Sequence, residues 1–330
     1  MGLFSRRSKD GSGDGSGATR FFFATDLHSS EVCFRKLLAT PKAYRLDTVI
    51  MGGDCTGKML IPLVERSDAP GTFRVSWAGE TLTLHTPEEV AEQERRIRAS
   101  GLYPVRVTEA QDAELQRDPA RLKALFEERM LATVAEWTAL AEERLADQGV
   151  HLVMTPGNDD EFEVDEVLRS SGFVDAAEGR ITQLGPYEML SVGWSNRTPW
   201  DTPRECSEDE LAAKIDELAE QVQDMRRAIF NIHVPPHGTG LDNAPKLDAD
   251  LRPVQGGTVM TPVGSTAVRA AIERHQPLLS LHGHIHESRG VQRIGRTVSI
   301  NPGSVYGEGI LQGVIVDLAG DDVRYSLTDG

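Results

Sequence analysis

The sequence predicts an α/β fold in which parallel strands alternate with helices, and three observations carry that expectation. Residues 21–25 (FFFAT), a helical stretch over 31–38 and a second apolar run at 48–51 follow one another in the rhythm of a βαβ unit. With 39% hydrophobic and 26% charged residues, the composition is that of an ordinary globular protein. At 330 residues the chain exceeds the usual single domain, yet fits one large sandwich that carries an insertion.

The elements follow in order. Residues 1–19 (MGLFSRRSKDGSGDGSGAT) are Gly/Ser-rich and offer little to bury, so they are expected to form a flexible tail, with the folded chain starting near Arg20. The first two apolar runs each lead into an acidic residue. Between residues 55 and 149 the rhythm changes. A hairpin is expected where FRVSW and TLTLH flank Ala78-Gly79, followed by charged helices at about 87–100 and 119–146. In the longer helix Leu122, Leu125, Phe126, Met130, Val134, Trp137, Leu140 and Leu145 mark one apolar face. This stretch, about 60–146, is read as an insertion. Strands resume at 150–154, 188–192, 228–232 and 278–281, with a helix near 207–225, and the last part (VQRIG, TVSIN, GVIVDL, VRYSL) reads as antiparallel strands.

Bulk properties narrow the function classes. A net charge of -16 opposes stable nucleic-acid binding and attraction to anionic membranes, both of which need a basic face. No run of eighteen apolar residues offers a membrane span. Cys33, Cys55 and Cys206 are odd in number and widely spaced, which argues against a disulfide framework. Arg6 stands where an N-myristoylation signal requires Ser or Thr, and a cytoplasmic location is expected.

Five short segments concentrate metal-ligand chemistry. Thr25-Asp26-Leu27-His28 ends the first apolar run with a carboxylate and an imidazole two residues apart. On an extended backbone the two point the same way, and mixed oxygen and nitrogen ligands suit Mn, Fe or Zn. Gly52-Gly53-Asp54 ends the next run, its glycines allowing a tight turn. Gly157-Asn158-Asp159-Asp160 follows VHLVMTP at a strand's carboxyl end, where open α/β sheets bind ligands. Taken singly, the first two segments read better as solvated loops, and the third reads equally well as an Asx turn or helix cap. His233 closes AIFNI and leads into Val234-Pro235-Pro236-His237-Gly238, a loop stiffened by two prolines. The strongest signal is His282-Gly283-His284-Ile285-His286. Imidazoles so crowded repel one another when protonated, and coordination in the neutral form resolves the conflict. His282 lies deeper in the strand and is assigned to the core or to a supporting role. His85, His151 and His275 lack such company and read as structural.

Taken in order, the segments resemble the D-x-H, G-D, G-N, H, G-H-x-H pattern of the calcineurin-like metallophosphoesterase superfamily. The resemblance covers residues 20–305 and includes Asn301-Pro302-Gly303-Ser304, which is similar to a strand-end turn of bacterial and archaeal members. It implies a four-layer α/β/β/α sandwich with two mixed central sheets, interrupted by a largely helical insertion. It also implies hydrolysis of a phosphate monoester or diester with two divalent metal ions, Mn²⁺ first, with Fe, Zn or Mg as alternatives. Asp26, His28 and His286 would hold one ion; Asn158, His233 and His284 would hold the other; Asp54 would bridge them. Ions about 3.5–4 Å apart need such a shared carboxylate to offset their repulsion.

Asp159 departs from the pattern, since many members have histidine there. It becomes a candidate acid, with His237 as a substitute. A carboxylate beside an anionic phosphate is disfavoured when charged, so its pKa is expected to rise, with nearby cations pushing the other way. The expected partner is a small phosphorylated substrate or nucleotide. A non-catalytic metal-binding scaffold and a protein Ser/Thr phosphatase are the alternatives. The insertion starts and ends beside two ligand-bearing segments, so it is expected to wall or cover the site, with homo-oligomerisation as its alternative use.

Overall fold

The computed structural model describes residues 19–330. The expected tail, residues 1–19, lies outside the described residues except for Thr19, which opens the first strand. The first half contains β1 (Thr19–Ala24), α1 (Glu31–Tyr44), β2 (Thr48–Gly52), β3 (Leu60–Glu65), β4 (Phe73–Trp77) and β5 (Glu80–Leu84). It continues with α2 (Pro87–Ala99), β6 (Tyr103–Thr108), α3 (Glu109–Leu115), α4 (Pro119–Leu145), β7 (His151–Thr155) and α5 (Glu163–Ser170). After these come β8 (Asp175–Ala176), β9 (Ile181–Leu184), β10 (Tyr187–Val192), β11 (Ser195–Asn196), β12 (Glu205–Cys206), α6 (Glu208–Ala219) and β13 (Ala228–Ile232). The chain ends with β14 (Asn243–Pro245), β15 (Met260–Pro262), α7 (Thr266–His275), β16 (Leu279–Leu281), β17 (Gly290–Ile294), β18 (Thr297–Asn301), β19 (Gln312–Ala319) and β20 (Asp322–Asp329).

Two six-stranded sheets form the centre, in the orders β20-β19-β1-β2-β7-β8 and β17-β18-β16-β13-β10-β9. Both are mixed: β1, β2, β7 and β8 run parallel, as do β10, β13, β16 and β18, while antiparallel β19 and β20 close the other edge of the first sheet and antiparallel β17 and β9 close both edges of the second. The alternation of side chains along a strand explains the layering. Phe21, Phe23, Ile50 and Val153 point inward, onto Met189, Ile229, Leu279, Leu281 and Ile300 of the second sheet. Phe22, Ala24, Met51 and Met154 point outward, onto Phe34 and Leu37 of α1, Trp137 of α4 and Leu168 of α5. On the far side, Leu190, Phe230 and Ile232 pack against Leu211 and Ile215 of α6 and Val268 and Ile272 of α7. A strand buried on both faces must read as a continuous apolar run, as FFFA and TVIM do. The result is a four-layer α/β/β/α sandwich.

Several expectations are revised. The final strands were expected to be antiparallel throughout, but β18, antiparallel to β17, also runs parallel to β16. Helix α6 stops at Ala219 instead of near 225, because the backbone N–H groups of Gln223 and Asp224 are taken by the Glu188 carboxylate. Helix α1 runs past residue 38 and through Pro41. Proline lacks the N–H that would reach the Leu37 carbonyl, and the Thr40 hydroxyl donates to that carbonyl instead at 2.7 Å. Within 60–146 the expected helices are joined by a four-stranded sheet, β5-β4-β3-β6, whose β3 and β6 were not anticipated. That sheet and α2 share a small core of Ile61, Leu63, Val75, Leu84, Val90 and Ile97. Helix α4 joins the main body, with Trp137 stacked on Phe34 at 4.1 Å.

Candidate metal centre

Each predicted ligand sits just past the carboxyl end of a parallel strand, the edge at which open α/β sheets bind ligands. Asp26 follows β1, Asp54 follows β2 and Asn158 follows β7 in the first sheet; His233 follows β13, and His284 and His286 follow β16, in the second. The extended backbone expected to aim Asp26 and His28 together is absent. Strand β1 ends at Ala24, and Asp26, His28, Ser29, Asp54 and His284 all have φ between 42° and 64°. Left-handed backbone is uncommon outside glycine and tends to cluster at functional sites. Here it turns the chain after β1, β2 and β16, while Asn158 after β7 and His233 after β13 are reached without left-handed backbone. The turns are tied to one another, with Asp26 N–H donating to the Gly53 carbonyl at 2.9 Å and His28 N–H to the Asp54 carbonyl at 3.0 Å.

The convergence is tight. His286 Nε2 lies 3.3 Å from Asp26 Oδ1 and 3.2 Å from His28 Nε2. Asp54 Oδ2 lies 3.5 Å from His28 Nε2 and 3.4 Å from His233 Nε2, which is itself 3.8 Å from Asp26 Oδ1. His284 Nδ1 is 2.6 Å from Asn158 Oδ1. The tautomers follow from the outer partners, because a carbonyl only accepts. His233 Nδ1–H donates to the Gly52 carbonyl and His28 Nδ1–H to the Thr56 carbonyl, leaving both Nε2 atoms as inward-facing lone pairs. His233 Nε2 is buried without a hydrogen-bond partner and faces two carboxylates. A lone pair against carboxylate oxygens is repulsive unless a cation or a proton stands between them. The donor set therefore fits divalent ions: Asp26, His28 and His286 form one compact triad, and Asp26, Asp54 and His233 another.

The electrostatics carry the same demand for positive charge. Burial opposes a charge on His233, but Asp54 and Asp26 outweigh it and hold the imidazole up to about 10. Burial likewise opposes a charge on His286, where Asp26 prevails and raises it. His28 and His284 are each pushed down to about 3, mainly by burial. Burial, then the nearby Asp159 charge, lifts Asp54 to about 7; burial also lifts Asp26, but His233 and His286 win and hold it well below the usual carboxylate range. The carboxylates that raise His233 and His286 would favour a cation at the same place.

Two glycines are required by close approach. A Cβ on Gly53, whose φ is 129°, would fall 2.2 Å from His233 Nδ1, and one on Gly283 would fall 2.3 Å from Asp26 Oδ2. Other residues that shape the centre carry no ligand signal in the sequence. Asp160 accepts from the N–H groups of Cys55, Thr56 and Gly157 and from the Thr56 hydroxyl, joining the second and third turns. Arg204 is fully buried, donates to the carbonyls of Asp160 and Glu161, and pairs with Asp165 at 2.7 Å. In the turn that was singled out, the Asn301 side chain donates to the carbonyls of Leu241, Gly283 and Ile285, and the Ser304 hydroxyl donates to the Asp26 carbonyl. Tyr306 packs its ring 4.7 Å from that of His28.

Asp159 joins the cluster, its Oδ2 3.9 Å from His28 Nδ1 and 2.5 Å from the Lys58 ammonium. Burial raises its carboxyl, but Lys58 overcomes that and holds it below its ordinary value, the reverse of the rise expected. His237 stands apart: its ring is 40% exposed and faces Asp242 at 3.7 Å. His282 is buried with both ring nitrogens engaged, by the Ile232 carbonyl and the Ser280 hydroxyl. Gly101 lies against the His28 carbonyl, and the Ser30 hydroxyl donates to the Ala99 carbonyl, so part of the 60–146 stretch abuts the first turn.

No protein-family model matches the chain. Over 155 residues it is 31% identical to the uncharacterized protein MJ1162 of Methanocaldococcus jannaschii, a match covering 46% of this chain and 64% of that protein, less than two thirds of its length. Among solved structures, TT1561 of Thermus thermophilus is 12% identical with a TM-score of 0.51, covering 94% of this chain and 99% of that one. A dimetal phosphatase from Danio rerio is 13% identical, covering 93% and 98%, at a TM-score of 0.41, too loose for a functional argument. Layers, strand order and strand-end turns together give this chain the calcineurin-like metallophosphoesterase fold.

Proposed function

We propose that the protein is a metal-dependent phosphoesterase acting on a small phosphate ester. The observation that carries this reading is the unpartnered Nε2 of buried His233, aimed at two carboxylates among ligand-type side chains drawn from both sheets. In this reading Asp26, His28 and His286 hold one divalent ion, Asn158, His233 and His284 hold the other, and Asp54 is shared, with Mn²⁺ the first candidate. Such a pair supplies Lewis acidity toward phosphoryl oxygens and a water acidic enough to attack phosphorus at neutral pH.

The remaining chemistry belongs to the chain. Glycine approaches and left-handed turns hold the ligands in place before any ion arrives, so little reorganisation accompanies binding. Asp160 and Arg204 fix the loop carrying Asn158, while Tyr306 shields one side of His28. Asp159 enters as an ionised carboxylate paired with Lys58, and His237 is left without a catalytic role. Residues 99–101 wall the first turn.

The test is metal analysis of the purified protein together with hydrolysis of aryl phosphodiesters and monoesters. Close to two divalent ions per chain, loss of turnover on chelation and recovery with Mn²⁺ are expected. Asp54→Asn should lower both metal content and rate. Full activity in metal-free protein would refute the reading, and metal binding without turnover on any ester would leave a scaffold.

A further inference from the structure

We propose that Lys58 is a substrate-binding residue whose ammonium takes the phosphoryl oxygens of the ester, with Asp159 as the positioning residue that holds it over the centre. This rests on the phosphoesterase reading above and adds a cationic contact supplied by the protein itself. Among the described residues, Lys58 is the one lysine or arginine paired with a carboxylate of the cluster. Its side chain is 53% exposed while that of Asp159 is 14% exposed, so the pair spans from the buried centre to water.

Both roots are fixed. Gly57 N–H donates to Ser29 Oγ at 2.9 Å and to the Tyr103 hydroxyl at 2.7 Å, and a Cβ on Gly57 would meet the Gly101 carbonyl at 2.2 Å. Asp159 N–H donates to Asp54 Oδ1 at 3.0 Å, and its Oδ1 accepts from the Asn158 amide at 3.1 Å. The ammonium has three donors and cannot accept. One is directed at Asp159 Oδ2, which leaves the others for an arriving anion.

Charge requires this arrangement. A phosphate ester nearing the cluster meets the Asp159 carboxylate as well as any cations, in a chain of net charge -16. Without a local cation that carboxylate repels the substrate. Lys58 cancels it and turns the same edge of the cleft into an anion contact, while the long stem lets the ammonium follow the phosphoryl group.

The experiment compares wild type, Lys58→Met, Lys58→Arg, Asp159→Asn and the Lys58→Met/Asp159→Asn double variant, all loaded with Mn²⁺. Metal content, binding of inorganic phosphate by calorimetry, and KM and kcat on an aryl phosphate are measured for each. Lys58→Met should keep wild-type metal content, weaken phosphate binding and raise KM about tenfold or more, with Lys58→Arg restoring part of the loss. The double variant should be no better than Lys58→Met. Phosphate binding unchanged in Lys58→Met overturns the proposal. So does a double variant that regains wild-type binding, since Lys58 would then only neutralise Asp159. Either result in an active wild type leaves the phosphoesterase reading standing; a wild type that neither turns over esters nor binds phosphate overturns both.

Discussion

At Asp159 a single carboxylate settles between two roles through its neighbour. A proton donor must hold a proton near neutral pH, whereas Lys58 keeps this group ionised. Asp159→Asn should therefore slow alkyl and aryl phosphates by similar factors; a loss confined to alkyl esters, whose leaving groups need protonation, would reinstate it as the acid. Glu178 shows the opposite shift. Burial pushes it up to about 7, against a hydrogen bond from Gly193 N–H at 2.7 Å. Its native pKa exceeds the unfolded value, so the folded state binds the extra proton between about 4.5 and 7, and stability falls as pH rises through that window. Part of its surface stays wet, so Glu178→Gln should add only about 1 kcal/mol at pH 8 and little at pH 4.5, read from urea unfolding at both pH values. The ligand-type residues were legible because each lies in a short local motif. Lys58 and Arg204 were not: Arg204 meets Asp160 across 44 residues of chain, and no local spacing encodes that meeting.

Turns do the positioning at the next scale. The sequence announced where strands end, since glycine and acidic residues follow apolar runs. It held no sign that the backbone after Ala24 enters the left-handed region instead of staying extended. Left-handed dihedrals at non-glycine residues are held by surrounding contacts, such as the Ser304 and Asn301 side chains from a turn far along the chain. Small strands suffered similarly: β3 and β6 are parallel partners joined through two further strands and a helix, a pairing no window of sequence displays. The Asn301 amide serves three carbonyls, so Asn301→Ala should cost about 2 kcal/mol and loosen the segment carrying His284 and His286. Metal content should fall with it. A variant of equal metal content and lower stability would confine Asn301 to the fold.

For the molecule as a whole, the apolar runs disclosed the strands, and the four layers came from the family likeness. Clustering buried carboxylates and imidazoles at one edge costs stability that bound cations would return. Saturating Mn²⁺ at about 100 times its dissociation constant should add about 2.7 kcal/mol per site and raise the melting temperature by several degrees, with chelator reversing it; a melting temperature indifferent to metal would count against binding in the folded state. The proposed ligands come from both sheets, with Asp26, Asp54 and Asn158 on one and His233, His284 and His286 on the other. Bound metal would thus rivet two greased plates along a single rim. If the proposed ions bind, they should slow amide hydrogen exchange at the rim ends of β1, β2, β13 and β16 while leaving the outermost β9 and β20 unchanged, and metal occupancy would then set how far the plates gape.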